Sequence, residues 1–123
     1  AFCTSVGRAM LGRLDDAELA ARLKAMRRDA VTPQTVTDPE ALKKVLEGIR
    51  ARGYAIEDEE SEIGMRCIAA PLLNDAGEVV AAVGVAGPVT RLSKKALSGY
   101  LPHVMETAAA ISARLGHRGK ATI

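Results

Sequence analysis

The sequence predicts an α+β domain in which helices pack an antiparallel sheet, with elements in the order α-α-α-β-β-β-α. Three observations lead there. Apolar residues recur at helical spacing in several segments, each opened by a capping residue. The run Gly64–Pro88 holds two short apolar segments around a polar, Gly-containing turn. Both segments have strand length and alternate side chains between two faces.

Residues 4–12 read as a short helix with Val6, Met10 and Leu11 at helical spacing and Gly12 as its stop. Asp15 is placed as an N-cap, with Glu18 in the first turn and Leu14 set to staple against Leu19. Leu19, Leu23 and Met26 mark the buried face of this second helix. Residues 29–37 are a polar connection. Asp38-Pro39-Glu40 is a strong helix start, followed by the stripe Leu42, Val45, Leu46 and Ile49 and closed by Gly53. Gly53–Ile56 reads as a short strand leading into the acidic run Glu57–Glu62.

The second and third strands follow. With Asn74–Gly77 as a four-residue turn, Leu73 pairs with Glu78, Cys67 with Gly84, Ala69 with Ala82, and Met65 comes near Ala86. These residues make a shallow floor of small side chains carrying one thiol. A one-residue slip would turn Cys67 to the other face. So small a surface either lets a helix approach closely or leaves room for a ligand. Ser93 caps the last helix, whose stripe is Leu97, Leu101, Val104, Ala108, Ile111 and Leu115. Gly99 and Pro102 predict a kink or fresh start near Leu101, and Gly116 ends the helix. The domain is expected to span 1–116, with 117–123 a solvated tail. Three strands leave edges exposed, so N-terminal strands are expected to be missing, or a partner chain to cover the edge.

The 123 residues suffice for one domain with a real core. A net charge of +2 argues against a nucleic-acid or anionic-membrane surface. With only Phe2, Tyr54 and Tyr100 as aromatics, a base-stacking face is not expected. No apolar run reaches the roughly 18 residues of a membrane span. The chain opens without Met or a signal-peptide pattern, and is expected to be a piece of a longer, cytoplasmic protein. Cys3 and Cys67 lack framework spacing and suit reduced thiols.

Candidate chemistry is sparse. The acidic run with Cys67 or Cys3 matches no standard metal spacing, and a solvated loop is the preferred reading. His103 and His117 read as surface residues, and no catalytic set is evident. By alternation Arg66 faces away from Cys67, which favours ion pairing there over ligand binding. No metal, cofactor or catalytic residue is expected.

Several motifs resemble one family. Thr4-Ser5-Val6-Gly7-Arg8-Ala9-Met10-Leu11 resembles the "ASGxGKAxLA" helix of the IclR family of bacterial transcription regulators. Thr35–Asp38, Ile49–Ala55, Asp58–Glu60, Gly64–Pro71, Gly77–Ala82, Val85–Pro88 and Ala109–Gly116 follow in the family's order. The resemblance implies the C-terminal, GAF-like effector-binding domain of a homo-oligomeric regulator, dimer or tetramer. It implies a small organic or aromatic acid as effector, and DNA contact only through an N-terminal winged helix-turn-helix. The implied pocket draws on Ser5, Val6 and Gly7 from the first helix. From the sheet it draws on Glu57, Met65, Cys67, Ala69, Gly84 and Ala86. Some members carry serines where this chain has Gly84 and Ala86, which implies a roomier floor and a larger or more apolar acid. First-turn amides near Thr4–Val6 remain as anion donors. The alternative function is an oligomerisation or scaffold domain without effector; an enzyme of small acids is the least supported.

Overall fold

The computed structural model describes residues 2–118, and their elements follow the expected order. Helix α1 is Ser5–Leu11, α2 Asp16–Ala25 and α3 Pro39–Arg52. Strands β1 Ala55–Asp58, β2 Met65–Leu73 and β3 Val79–Pro88 precede helix α4, Lys94–Arg114. The sheet is antiparallel in the order β1-β2-β3.

Local chemistry explains the helix starts. The side chains of Thr4, Asp15, Asp38 and Ser93 accept from Gly7, Glu18, Ala41 and Ala96 N–H, capping the four helices. Helix α4 ends in a Schellman arrangement: His117 N–H donates to Ser112 O (3.0 Å) and Gly116 N–H to Ala113 O (3.1 Å).

Helix α1 packs one face of the sheet, with α3 behind it, and α4 packs the other. The α1 side buries Ala9, Leu11, Leu42, Leu46, Ile49, Ala55 and Ala69. The α4 side buries Ile68, Ala70, Leu72, Leu97, Val104 and Ala108. Alternation along β2 therefore splits the core in two.

Several expectations need correction. Strand β1 begins two residues after Gly53 and takes in Glu57 and Asp58, the start of the acidic run. The hairpin pairs differ too: Cys67 is opposite Ala86, Ala69 opposite Gly84, Pro71 opposite Ala82 and Met65 opposite Pro88. Asn74 and Glu78 close a tighter turn than expected, Asn74 N–H donating to Glu78 O at 3.0 Å with Gly77 at φ 77°. That turn moves the first strand pair to Leu73–Val79, and a bulge at Val80 moves the next to Leu72–Ala81. Two one-residue shifts add to two, so every residue keeps its expected face while changing its partner.

Helix α4 is not broken at Pro102. Pro102 and Ser98, whose carbonyl loses its helical donor, are both exposed, so the missing bond falls on the solvent side of the helix and not in the core. The buried stripe also ends at Ser112, since Leu115 is exposed. Pro71 sits in the middle strand without conflict, because β1 pairing ends at Ala69. No described helix is long and apolar enough to cross a membrane.

Candidate functional site

On the α1 side of the sheet an open hollow of about 330 Å³ lies between the start of α1 and the outer part of the sheet. Thr4, Ser5 and Val6 form one wall, Ser61 a corner, and Cys67, Ala82, Gly84, Val85 and Ala86 the rest. Of the residues expected at the site, Ser5, Val6, Cys67, Gly84 and Ala86 border this space. Gly7, Met65 and Ala69 do not border it, and Ala69 is instead packed in the α1-side core. Thr4, expected as an anion donor, and Ala82, expected in the floor, border it too, whereas Ser61 and Val85 were not expected. Alternation placed Ala82 on this face, but nothing in the sequence signals that Ser61 folds over it.

Gly84 has a reason of its own. A Cβ there would lie 2.3 Å from Ile68 O and 2.9 Å from Ala69 Cβ. The close approach is by the neighbouring strand, not by a helix, and it leaves the floor bare at that point.

Glu57 lies under the hollow without bordering it. It stands opposite Cys67 in the β1–β2 ladder and is fully buried. Its Oε1 accepts from Glu60 N–H at 2.9 Å and from Ser61 N–H. Its Oε2 has no partner among the described residues. Burial pushes the Cys67 thiol up, the Glu57 carboxylate beside it pushes it further, and the Ser5 hydroxyl pulls it partly back. Cys67 is thus a protonated, weakly nucleophilic thiol at neutral pH.

The acidic run is not a solvated loop throughout, since Glu57 and Glu60 are buried. Among the described residues no cluster is arranged to hold a metal ion. Glu60 is buried and meets the buried Arg8 in a two-pronged ion pair, Nη1 to Oε2 at 2.6 Å and Nη2 to Oε1 at 2.5 Å. Arg8 Nε donates to Phe2 O at 2.7 Å. Arg66 lies on the opposite face, paired with Asp58 at 3.0 Å and donating to Leu92 O. Among the described residues no lysine or arginine lines the hollow. Its polar groups are hydroxyls, one thiol, and the Ser5 and Val6 N–H groups, which lack intrahelical acceptors.

Two smaller hollows flank α4. One of about 180 Å³ is bordered by Arg13, Pro71, Met105 and His117. The other, about 140 Å³, lies between β3 and α4 and is bordered by Val83 and Tyr100. His117 is half-buried rather than freely exposed: its Nδ1 lies 3.1 Å from Asn74 O, and its Nε2 is buried. Residues 119–123 of the expected tail lie outside the described residues.

A helix laid across small strand residues, with a polar-rimmed hollow between them, is the arrangement of this α+β domain. The family model for the C-terminal domain of the bacterial transcriptional regulator IclR matches residues 1–113, and the chain belongs to that family. It is 43% identical over 109 residues to the HTH-type transcriptional regulator BhcR of Paracoccus denitrificans, covering 89% of this chain and 39% of that protein. The crystal structure of the Thermotoga maritima IclR superposes with a TM-score of 0.90 at 35% identity, over 94% of this chain and 47% of that one. An Acinetobacter PobR inducer-binding domain, a double mutant in complex with 3-hydroxybenzoic acid, superposes at 0.84 with 28% identity, over 90% and 66%. The fold is GAF-like, as in these C-terminal domains. The chain spans less than half the length of the curated relatives it matches. Those relatives are transcription regulators, not enzymes.

Proposed function

We propose that this chain is the effector-sensing part of a cytoplasmic transcription regulator and that the hollow beside Cys67 receives a small organic acid. One observation carries the reading: the first turn of α1 and a floor of small strand residues border an open hollow of about 330 Å³. That volume lies within the ligand-pocket range of about 300–1,000 Å³. The acid group is met by N–H and hydroxyl donors near Thr4–Val6 and Ser61, which border the hollow. The apolar remainder lies on Ala82, Gly84 and Ala86, which suits an aromatic acid. The PobR domain holds 3-hydroxybenzoic acid on the same fold, which supports that class. DNA contact is assigned to a helix-turn-helix domain outside the matched residues. Effector binding acts by preferring one arrangement of a homo-oligomer, dimer or tetramer.

The test is a calorimetric titration of the full-length regulator with benzoate, 3-hydroxybenzoate, phenylacetate and pyruvate. At least one aromatic acid binds the wild type. Ala86→Phe, which projects from the floor into the hollow, loses that binding while keeping its thermal midpoint. An Ala86→Phe protein that binds as well as wild type places the site elsewhere. A wild type that binds none of these acids favours an oligomerisation domain without effector.

A further inference from the structure

Ser5 and Val6 touch the hollow, but Arg8, less than one turn further along α1, points away into the protein and is 1% exposed. Each of its three guanidinium nitrogens donates a hydrogen bond, Nε to Phe2 O and the other two to the Glu60 oxygens. Glu60 in turn anchors the loop between β1 and β2 from two sides. Its Oε1 accepts Val36 N–H at 3.0 Å, and its carbonyl accepts the Thr35 hydroxyl at 2.5 Å. Thr32 fastens the neighbouring carbonyl of Glu59 at 2.6 Å. With Glu60 held, its own N–H and that of Ser61 point at Glu57 Oε1. Ser61 then forms the corner of the hollow, and Glu57 faces Cys67 across the ladder.

From this geometry we propose that Arg8 and Glu60 are positioning residues for the hollow: their buried ion pair fixes the Ser61 corner and holds the Glu57 carboxylate beside Cys67. The proposal deepens the reading of the hollow as an effector site and rests on it for the ligand step alone. The pair touches no ligand. It acts through Glu60 N–H and Ser61 N–H, the two donors that Glu57 Oε1 receives. Replacing a buried ion pair by apolar side chains of similar volume often leaves a fold intact, whereas removing one partner strands the other's charge. The double variant Arg8→Met/Glu60→Met is therefore the first perturbation, and Arg8→Lys, which keeps the charge but cannot grip both Glu60 oxygens in a fork, serves if the double variant does not fold.

The experiment uses the full-length regulator and two readouts. The first needs no ligand: iodoacetamide alkylation of Cys67 as a function of pH, followed by peptide mass so that Cys3 is scored separately. The groups facing the thiol are Glu57 from β1 and the Ser5 hydroxyl from α1. Once Glu57 is released, its charge no longer opposes thiolate formation, so the alkylation midpoint moves to lower pH in the variant. The second readout is affinity for whichever aromatic acid the wild type binds. It falls about tenfold, the middle of the range for residues coupled in one network. A folded variant with the wild-type alkylation midpoint overturns the proposal. A shifted midpoint in a protein whose wild type binds no acid upholds the positioning role and overturns the effector reading instead. A shifted midpoint with undiminished affinity overturns the claim that the pair shapes the ligand corner.

Discussion

Gly84→Ala isolates the constraint that leaves the floor of the hollow bare. The added methyl would sit 2.3 Å from Ile68 O, 2.9 Å from Ala69 Cβ and 3.0 Å from Ala69 Cα. None of these atoms is the free end of a flexible side chain, so β3 must move away from β2 at the Ala69–Gly84 pair. Overpacking of this kind costs about 1–3 kcal/mol, and each weakened ladder hydrogen bond adds about 1 kcal/mol. A loss of about 3 kcal/mol is expected, equivalent to about 10 °C in Tm for a domain of this size. Circular dichroism thermal unfolding measures it. Gly99→Ala is the control of opposite sign. Gly99 lies inside α4 and a Cβ there meets nothing within 4 Å, so alanine stabilises by about 0.5–1 kcal/mol. A Gly84→Ala protein as stable as wild type would refute the close approach. The same geometry rules out Gly84 as the place to fill the hollow, because Gly84→Phe would disturb fold and site together. Ala86 is exposed, lies on the same face, and is the position to fill.

Two further outcomes follow from buried contacts. Ser112→Ala removes the acceptor of Leu73 N–H (3.0 Å), leaves a buried donor unpaired, and costs about 1–3 kcal/mol in denaturant unfolding. In wild type, alkylation of Cys67 sets in at higher pH than for a free thiol, because burial and Glu57 both favour the protonated form; kinetics against pH with peptide mapping checks it.

The parts of the fold that depend on neighbouring residues were legible in the sequence. Asp15, Asp38 and Ser93 act within one turn of themselves, and each caps the helix it opens. Face assignments in the hairpin survived because a period of two tolerates a two-residue change. The register did not, since Asn74 and Gly77 close the turn one residue tighter than a four-residue loop, and the bulge at Val80 adds a second shift that no turn residue announces. Long-range polar contacts left no local trace: Arg8 meets Glu60 across 52 residues, and Leu73 meets Ser112 across 39. The acidic run therefore looked solvated although Glu57 and Glu60 are buried. Ser5, Cys67, Gly84 and Ala86 were found by alternation or resemblance. Ser61 was missed because its place depends on the loop that Arg8 and Glu60 hold.

The central claim, that the hollow between α1 and the small residues of β2 and β3 receives the effector, is tested most directly by amide NMR during titration with 3-hydroxybenzoate and the other acids of the panel. The account predicts saturable shifts concentrated at Ser5, Val6, Ser61, Cys67 and Ala86. Shifts confined to the hollows beside α4, around Met105 and His117 or around Val83 and Tyr100, would contradict it, as would no shift with any acid at saturating concentration.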